Sequence, residues 1–251
     1  MDRIVTKFQP PLSIDNYDRL LPPERQPSSV SATFTACMEV RYAVFVIEQK
    51  VPADCELDED DKRSCHWALF YPETGIEPPG RPVGTIRLVP YPQSSHPEPG
   101  GVYETVNGIY GLQGRRKPKN GGGDGETEFI PISTDTPEAA PFRTALHDGH
   151  EPYVKLGRMA VLPEYRRKGL ASRLVKDALS WMQQNPGYFD PQGADNAGAP
   201  AFRGLVCVHA QVSAASFWLA AGFQIDDAMG RWWEEGMEHV GMFLRLDLAM
   251  R

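Results

Sequence analysis

The sequence predicts a mixed α/β domain, a mixed sheet with helices on both faces. Three observations predict it. Short strand-like runs alternate irregularly with stretches of helical apolar spacing, and no segment repeats. Hydrophobic residues make up 41% of the 251 and aromatics 10%, enough to bury a proper core in one unit carrying insertions. Glycine and proline number 23 each, more than a compact domain needs, so long loops are expected between the elements.

Residues 1–30 carry Pro10, Pro11, Pro22, Pro23 and Pro27 with little periodicity, and read as an irregular arm. The rest, 31–251, reads as one domain. Phe34, Cys37, Met38, Val44, Phe45 and Ile47 recur at helical spacing, which predicts a helix from about Ser31 to Gln49. The run Asp54 to Asp61 is too charged for a strand and reads as a solvated loop with one helical turn. His66–Tyr71 and Pro82–Pro90, joined by a turn-rich segment, have the signature of a hairpin. From about 92 to 150 regular patterning dissolves into a long loop insertion. It includes the basic patch from Arg115 to Lys119 and the glycine run Gly121 to Gly125. Tyr153–Val161 reads as a strand and Gly169–Gln184 as a helix, with Leu170, Leu174, Ala178, Trp181 and Met182 on one face. A strand at Gly204–His209 follows, then a helix over Val212–Ala221 closed by Gly222. A short strand at Phe223–Ile225 and a longer one near Val240–Leu246 end the pattern.

Composition also narrows the function. A formal charge of −7 without a basic stripe argues against nucleic acid as a partner. No run approaches a membrane span and the first residues carry no apolar signal core. Cys37, Cys55, Cys65 and Cys207 are scattered without a CxxC pair, which suits free thiols in a reducing, cytoplasmic compartment. His147 and His150 are the one hint of metal ligands, and they lie in a glycine-rich loop, so no metal is expected.

The most informative stretch is Arg166-Arg167-Lys168-Gly169-Leu170-Ala171, between a strand and a helix. A helix start leaves N–H groups unpaired and carries partial positive charge, so it attracts anions. Gly169 and Ala171 let the backbone approach a ligand closely, and three cationic side chains stand beside them. The spacing is neither GxxxxGK[ST] nor GxGxxG.

Arg166-x-x-Gly169-x-Ala171 resembles the acyl-CoA motif of the GCN5-related N-acetyltransferases (GNAT). Gly157–Glu164 looks like that family's fourth strand, and His209–Phe223 like its fifth strand and following helix. The resemblance implies a twisted sheet of about six to seven strands, parted by a splayed strand pair that receives acetyl-CoA. It implies Met159, Ala160 and Val161 on the pantetheine arm, and Arg166, Arg167, Lys168, Gly169, Leu170, Ala171 and Ser172 around the pyrophosphate. Gln211, Phe217 and Trp218 complete the implied cofactor contacts. Arg41–Gln49, Glu56–Asp58, His66 and His239–Met242 resemble the ElaA-like branch, and the first helix also resembles the acyl-homoserine-lactone synthases.

The implied reaction is N-acetyl transfer to a primary amine of a small molecule or peptide. It needs a proton acceptor, a polarised carbonyl and a proton for the thiolate. Many family members supply that proton from a tyrosine where this chain has Trp218, and an indole is no general acid. Glu48 and His209 are the candidate bases. Glu48 reads equally as a solvated helix-end carboxylate, and His209 as a structural histidine. Arg41, Glu48 and Arg158 are candidate acceptor contacts, with an ion pair as the alternative for Arg158. The acidic run would attract a cationic amine if it were not simply solvated. An acyl-homoserine-lactone-synthase-like enzyme and a non-catalytic acyl-CoA sensor are the other readings; a monomer or homodimer suits each.

Overall fold

The computed structural model describes residues 4–77, 79–106, 109–118, 127–131, 143–190 and 201–248. Its strands are β1 (Val5–Gln9), β2 (Cys65–Tyr71), β3 (Arg81–Val89), β4 (Gly101–Val106), β5 (Ile109–Pro118), β6 (Thr127–Pro131), β7 (Val154–Val161), β8 (Leu205–Gln211), β9 (Gln224–Ile225), β10 (Arg231–Glu234) and β11 (Met237–Arg245). Helix α1 (Ala32–Arg41) continues as a π-helical stretch over Tyr42–Glu48; α2 spans Leu170–Gln184 and α3 Ala215–Ala220.

The predicted class holds, but the sheet is larger. Among the described residues eleven strands form one sheet, ordered β1-β2-β3-β7-β8-β11-β10-β4-β5-β6 with β9 beside β11, rather than six to seven. Pairing is antiparallel except for β7 with β8 and β10 with β4. The additional strands come from segments that lack a local strand pattern. β1 lies in the proline-rich arm and is held by its neighbours: Phe8 sits 5.0 Å from the Trp67 ring and 4.8 Å from Trp181. β4, β5 and β6 lie where a loop insertion was expected. Their cross-strand partners include Arg115 with Ile130, and Arg116 lies 4.8 Å over the Trp233 ring. The glycine run from 121 to 125 lies outside the described residues.

Helices cover both faces of the β1–β3 portion. Alternate residues of β2 point to opposite sides. Trp67 and Leu69 join the core of Leu174, Ala178 and Met182 from α2, while Ala68 and Phe70 meet Ala36 and Cys37 of α1. Beyond β8 a second apolar cluster of Leu205, Cys207, Met229, Trp232, Phe243 and Tyr153 fills the sheet's other portion.

The feature that positions the site is a parting of two strands. β7 and β8 pair only from Val154/Val206 to Leu156/Val208. Past that point β7 follows β3 to Val161, while β8 follows β11 to Gln211. A bulge marks the fork: Arg158 and Met159 together face Ile86, and Arg158 adopts a left-handed φ of 47°. An extra residue bends a strand and raises its twist, which carries β7 away from β8.

Candidate functional site

The turn after β7 presents main chain rather than side chains. Arg167 (φ 61°) and Gly169 (φ 74°) are both left-handed, and Gly169 is the residue before α2. Among the described residues no side chain caps that helix, and its first internal bond runs from the Arg173 N–H to the Gly169 carbonyl at 3.1 Å. The N–H groups of Leu170, Ala171 and Ser172 precede that bond. A Cβ built on Gly169 would meet no heavy atom within 4 Å. The glycine is thus required by its φ, and the space beside it is open for an anionic ligand to approach the helix terminus.

Two of the turn's three cationic side chains are already engaged. Arg166 donates to the Val161 carbonyl at 2.9 Å and holds the Glu48 carboxylate through two bonds of 2.8 and 2.5 Å. The Arg166 hydrogen bond keeps Glu48 below the usual carboxylate range. Lys168 lies over the Tyr165 and Tyr71 rings, at 4.8 and 5.3 Å.

The acidic run is not a solvated loop. Glu56 and Asp61 are buried, and the run folds onto three arginines. Arg41, fully buried, pairs with Glu56 at 2.5 Å and Asp61 at 2.7 Å. Arg87 pairs with Asp58 at 2.6 Å and Asp61 at 2.8 Å. Arg158 reaches Asp58 at 3.1 Å and Glu56 at 3.3 Å. Burial alone would raise the Asp61 carboxyl, but the Arg41 and Arg87 guanidiniums outweigh it and hold it well below the usual range. His66 accompanies the cluster with Nε2 3.0 Å from the Asp61 carbonyl; burial lowers it to about 4, so it is neutral.

On the far side of the fork lies a cavity of about 800 Å³. Arg158 and Lys155 of β7, His209 and Gln211 of β8, and Phe45 and Gln49 at the end of the first helix border it. Asp54–Asp60, Tyr103, Tyr110, Glu234 and Glu235 close it. His209 is its principal proton-accepting candidate. Burial keeps its imidazole below the usual range, against the opposing pull of Glu234. Nδ1 stands 3.7 Å from the Glu234 carboxylate, while Nε2 is buried with no hydrogen-bond partner among the described residues. Burial would raise Glu234, but the nearby His209 and His239 imidazoles outweigh it and hold the carboxyl below the usual range. The Trp232 indole N–H also donates to it at 2.6 Å.

The structure therefore separates the residues singled out from sequence. It brings Met159, Ala160 and Val161 to the fork, and Arg166 to Ser172 to the turn beside it. Gln211 lies across the fork, donating to Gln49 at 3.1 Å. His209, Gln211 and Arg158 border the cavity, whereas Glu48 and Arg41 do not. Arg158 forms the ion pair offered as its alternative, with Glu56 and Asp58 rather than Glu48. Trp218 is buried in the core, 5.1 Å from the Phe223 ring, with Phe217 half-buried against it. Sequence reading missed Glu234, Tyr103, Tyr110 and His96. Only the Trp-Trp-Glu-Glu-Gly run around Glu234, an apolar pair running into two acids at a turn, gave a local signal.

Residues 134–202 match the model of the acetyltransferase (GNAT) family, a span that includes β7, the turn and α2. The GNAT resemblance is thereby shown for this span. No significant match to a curated protein was found. Among solved structures, the chain is similar to a CoA-dependent acyl-homoserine lactone synthase, BjaI, with SAM and isopentyl-CoA. The identity is 13% and the TM-score 0.51, over 98% of this chain and 84% of that one. That likeness is one of fold. Escherichia coli ElaA (16% identity, TM-score 0.47) and an acyl-CoA N-acyltransferase from Pseudomonas aeruginosa (15%, 0.48) each align over 96% of this chain and 99% of theirs.

Proposed function

We propose, for a chain whose 134–202 span matches the GNAT family, that it is an N-acetyltransferase acting from acetyl-CoA on a primary amine held in the cavity. One observation carries the reading: the fork between β7 and β8 has a bare helix N-terminus on one side and the His209–Glu234 pair on the other. The residues fit the co-substrate. The open space at Gly169 and the N–H groups of Leu170, Ala171 and Ser172 suit a pyrophosphate, and the parted backbone from Met159 to Val161 suits an extended amide-bearing arm. Acetyl-CoA supplies the activated acetyl carbon.

The chain's own residues then divide the work. His209 takes the amine proton at Nε2, and Glu234 fixes the ring and stabilises the charge that forms. Burial favours this, because a histidine kept neutral has its lone pair available. Glu48 serves as counter-charge to Arg166. Arg41 serves to hold the acidic run in place rather than to touch the acceptor. Gln211 braces the mouth of the fork. A buried Trp218 leaves the thiolate to be neutralised from elsewhere.

Calorimetric titration with acetyl-CoA, with S-adenosylmethionine in parallel, tests the reading. Saturable binding of acetyl-CoA alone, followed by amine-dependent release of free thiol, is expected. Binding of both compounds would favour the lactone-synthase alternative. Binding of acetyl-CoA without turnover on any amine would favour a sensor.

A further inference from the structure

Two histidines on the cavity wall and a cysteine buried beside them make a donor set that acetyl transfer does not call for. His96, Cys207 and His209 each place one ligand atom within 4.8 Å of the others. Cys207 and His209 are two residues apart on β8 and so share a face of the sheet. His96 arrives from the segment between β3 and β4, buried and stacked on Tyr153 at 5.2 Å.

The surrounding hydrogen bonds turn lone pairs inward. A carbonyl only accepts, so the 2.8 Å contact between His147 Nε2 and the Glu151 carbonyl puts a proton on that nitrogen. In a neutral ring His147 Nδ1 is then an acceptor, and His96 Nε2, 3.2 Å away, donates to it. This leaves the lone pair of His96 on Nδ1, where it accepts from the Tyr153 hydroxyl at 3.4 Å, a weak bond that a cation would displace. For His209 the Glu234 carboxylate faces Nδ1, so the lone pair is on Nε2, a buried atom with no hydrogen-bond partner among the described residues. A ring nitrogen backed by a carboxylate or a carbonyl-anchored partner is the arrangement that orients metal-binding histidines.

We infer that His96, Cys207 and His209 form a binding site for a borderline divalent cation, zinc above all. Two imidazoles and a thiol are a Zn²⁺ donor set, and metal–ligand bonds of about 2.0–2.3 Å would draw the donors together by about 1 Å. His96 and His209 both border the cavity, so a fourth position faces it. The charges facing the cluster are Lys155 of β7, which opposes a cation, and Glu234 and Asp226, which favour one. The Cys207 thiol gives up its proton as the sulfur–metal bond forms. The His209 lone pair cannot both hold a metal and accept the amine proton. Only this last consequence, inhibition by zinc, rests on the acetyltransferase reading.

The test is titration of the chelator-stripped, reduced full chain with Co²⁺, followed by absorbance. One equivalent is expected to produce a thiolate-to-cobalt band in the near ultraviolet and intense visible bands of a four-coordinate ion, both bleached by Zn²⁺. Cys207→Ala should abolish the near-ultraviolet band, and His96→Ala should weaken Co²⁺ binding at least tenfold. Cys55→Ser, which removes a thiol that does line the cavity, and His150→Ala should change neither. Absence of a thiolate band in the unaltered chain, or its survival in Cys207→Ala, overturns the site. Should Cys207→Ala fail to fold, unchanged affinity in His96→Ala overturns it. Because absorbance reports the metal directly, the outcome stands whether or not the chain transfers acetyl groups.

Discussion

The two sides of the fork are built from different materials. On the α2 side the site is main chain: one glycine, a helix start, N–H groups that point outward. On the cavity side it is side chains drawn from many separate segments, with charge satisfied by opposite charge. A main-chain site needs only a local run of residues in the right conformation. A side-chain site needs distant elements to arrive together, so its function and its stability share the same groups.

The largest expected effect tests the cavity side. His209→Ala should lower kcat by about 10²–10⁴-fold while leaving acetyl-CoA affinity within about threefold, read by thiol release and calorimetry. Arg41→Ala should cost about 3–5 kcal/mol in chemical denaturation, because it strands the Glu56 and Asp61 carboxylates in the interior. Acid should act on the same network. His66 titrates near 4 when folded but at about 6.5 when unfolded, so between these values the unfolded chain binds more protons and stability falls as pH falls. The loss should approach about 3 kcal/mol by pH 4, measured by denaturant midpoints across pH. Asp61 and Asp58, whose carboxyls the arginines depress, keep their contribution above the unfolded aspartate range and lose it at lower pH still.

The main-chain side should respond differently. Gly169→Ala forces an L-residue into φ 74° at a strain of about 1–2 kcal/mol and puts a methyl in the ligand's path. Acetyl-CoA affinity should drop about tenfold or more, with kcat at saturation nearly unchanged. Glu48→Gln breaks an ion pair that is more than a third exposed, so stability should change by less than about 1 kcal/mol. Its kcat should remain within about threefold; a hundredfold fall would move the base from His209 to Glu48 and erase the contrast between the two sides.

The same contrast explains what was legible in the sequence. Gly169, Ala171 and their flanking strand and helix form one continuous pattern, so the turn could be read from residues alone. The hairpin of β2 and β3 and the helices likewise follow from local periodicity. β1 and β4 to β6 did not, because Phe8 is held by Trp67 and Trp181, and Arg116 by Trp233, contacts distant in sequence. Asp54 to Asp61 misled for the same reason. Eight residues so rich in carboxylates look solvated until Arg41, Arg87 and Arg158 are brought against them from a helix and two strands. His209 was visible, but its partner Glu234 is 25 positions away and gave no spacing to read.

The lattice of buried Arg41, Arg87, Glu56 and Asp61 with half-buried Arg158 and Asp58 also constrains how this chain can diverge. Removing one of the buried members leaves opposite charge in the interior, whereas replacing the whole set with well-packed apolar residues can be neutral or better. Single substitutions therefore descend steeply from the present sequence, and the neighbouring solution lies several simultaneous changes away. The six residues should pass through a lineage as a block, kept by the absence of any one-step exit as much as by what they do.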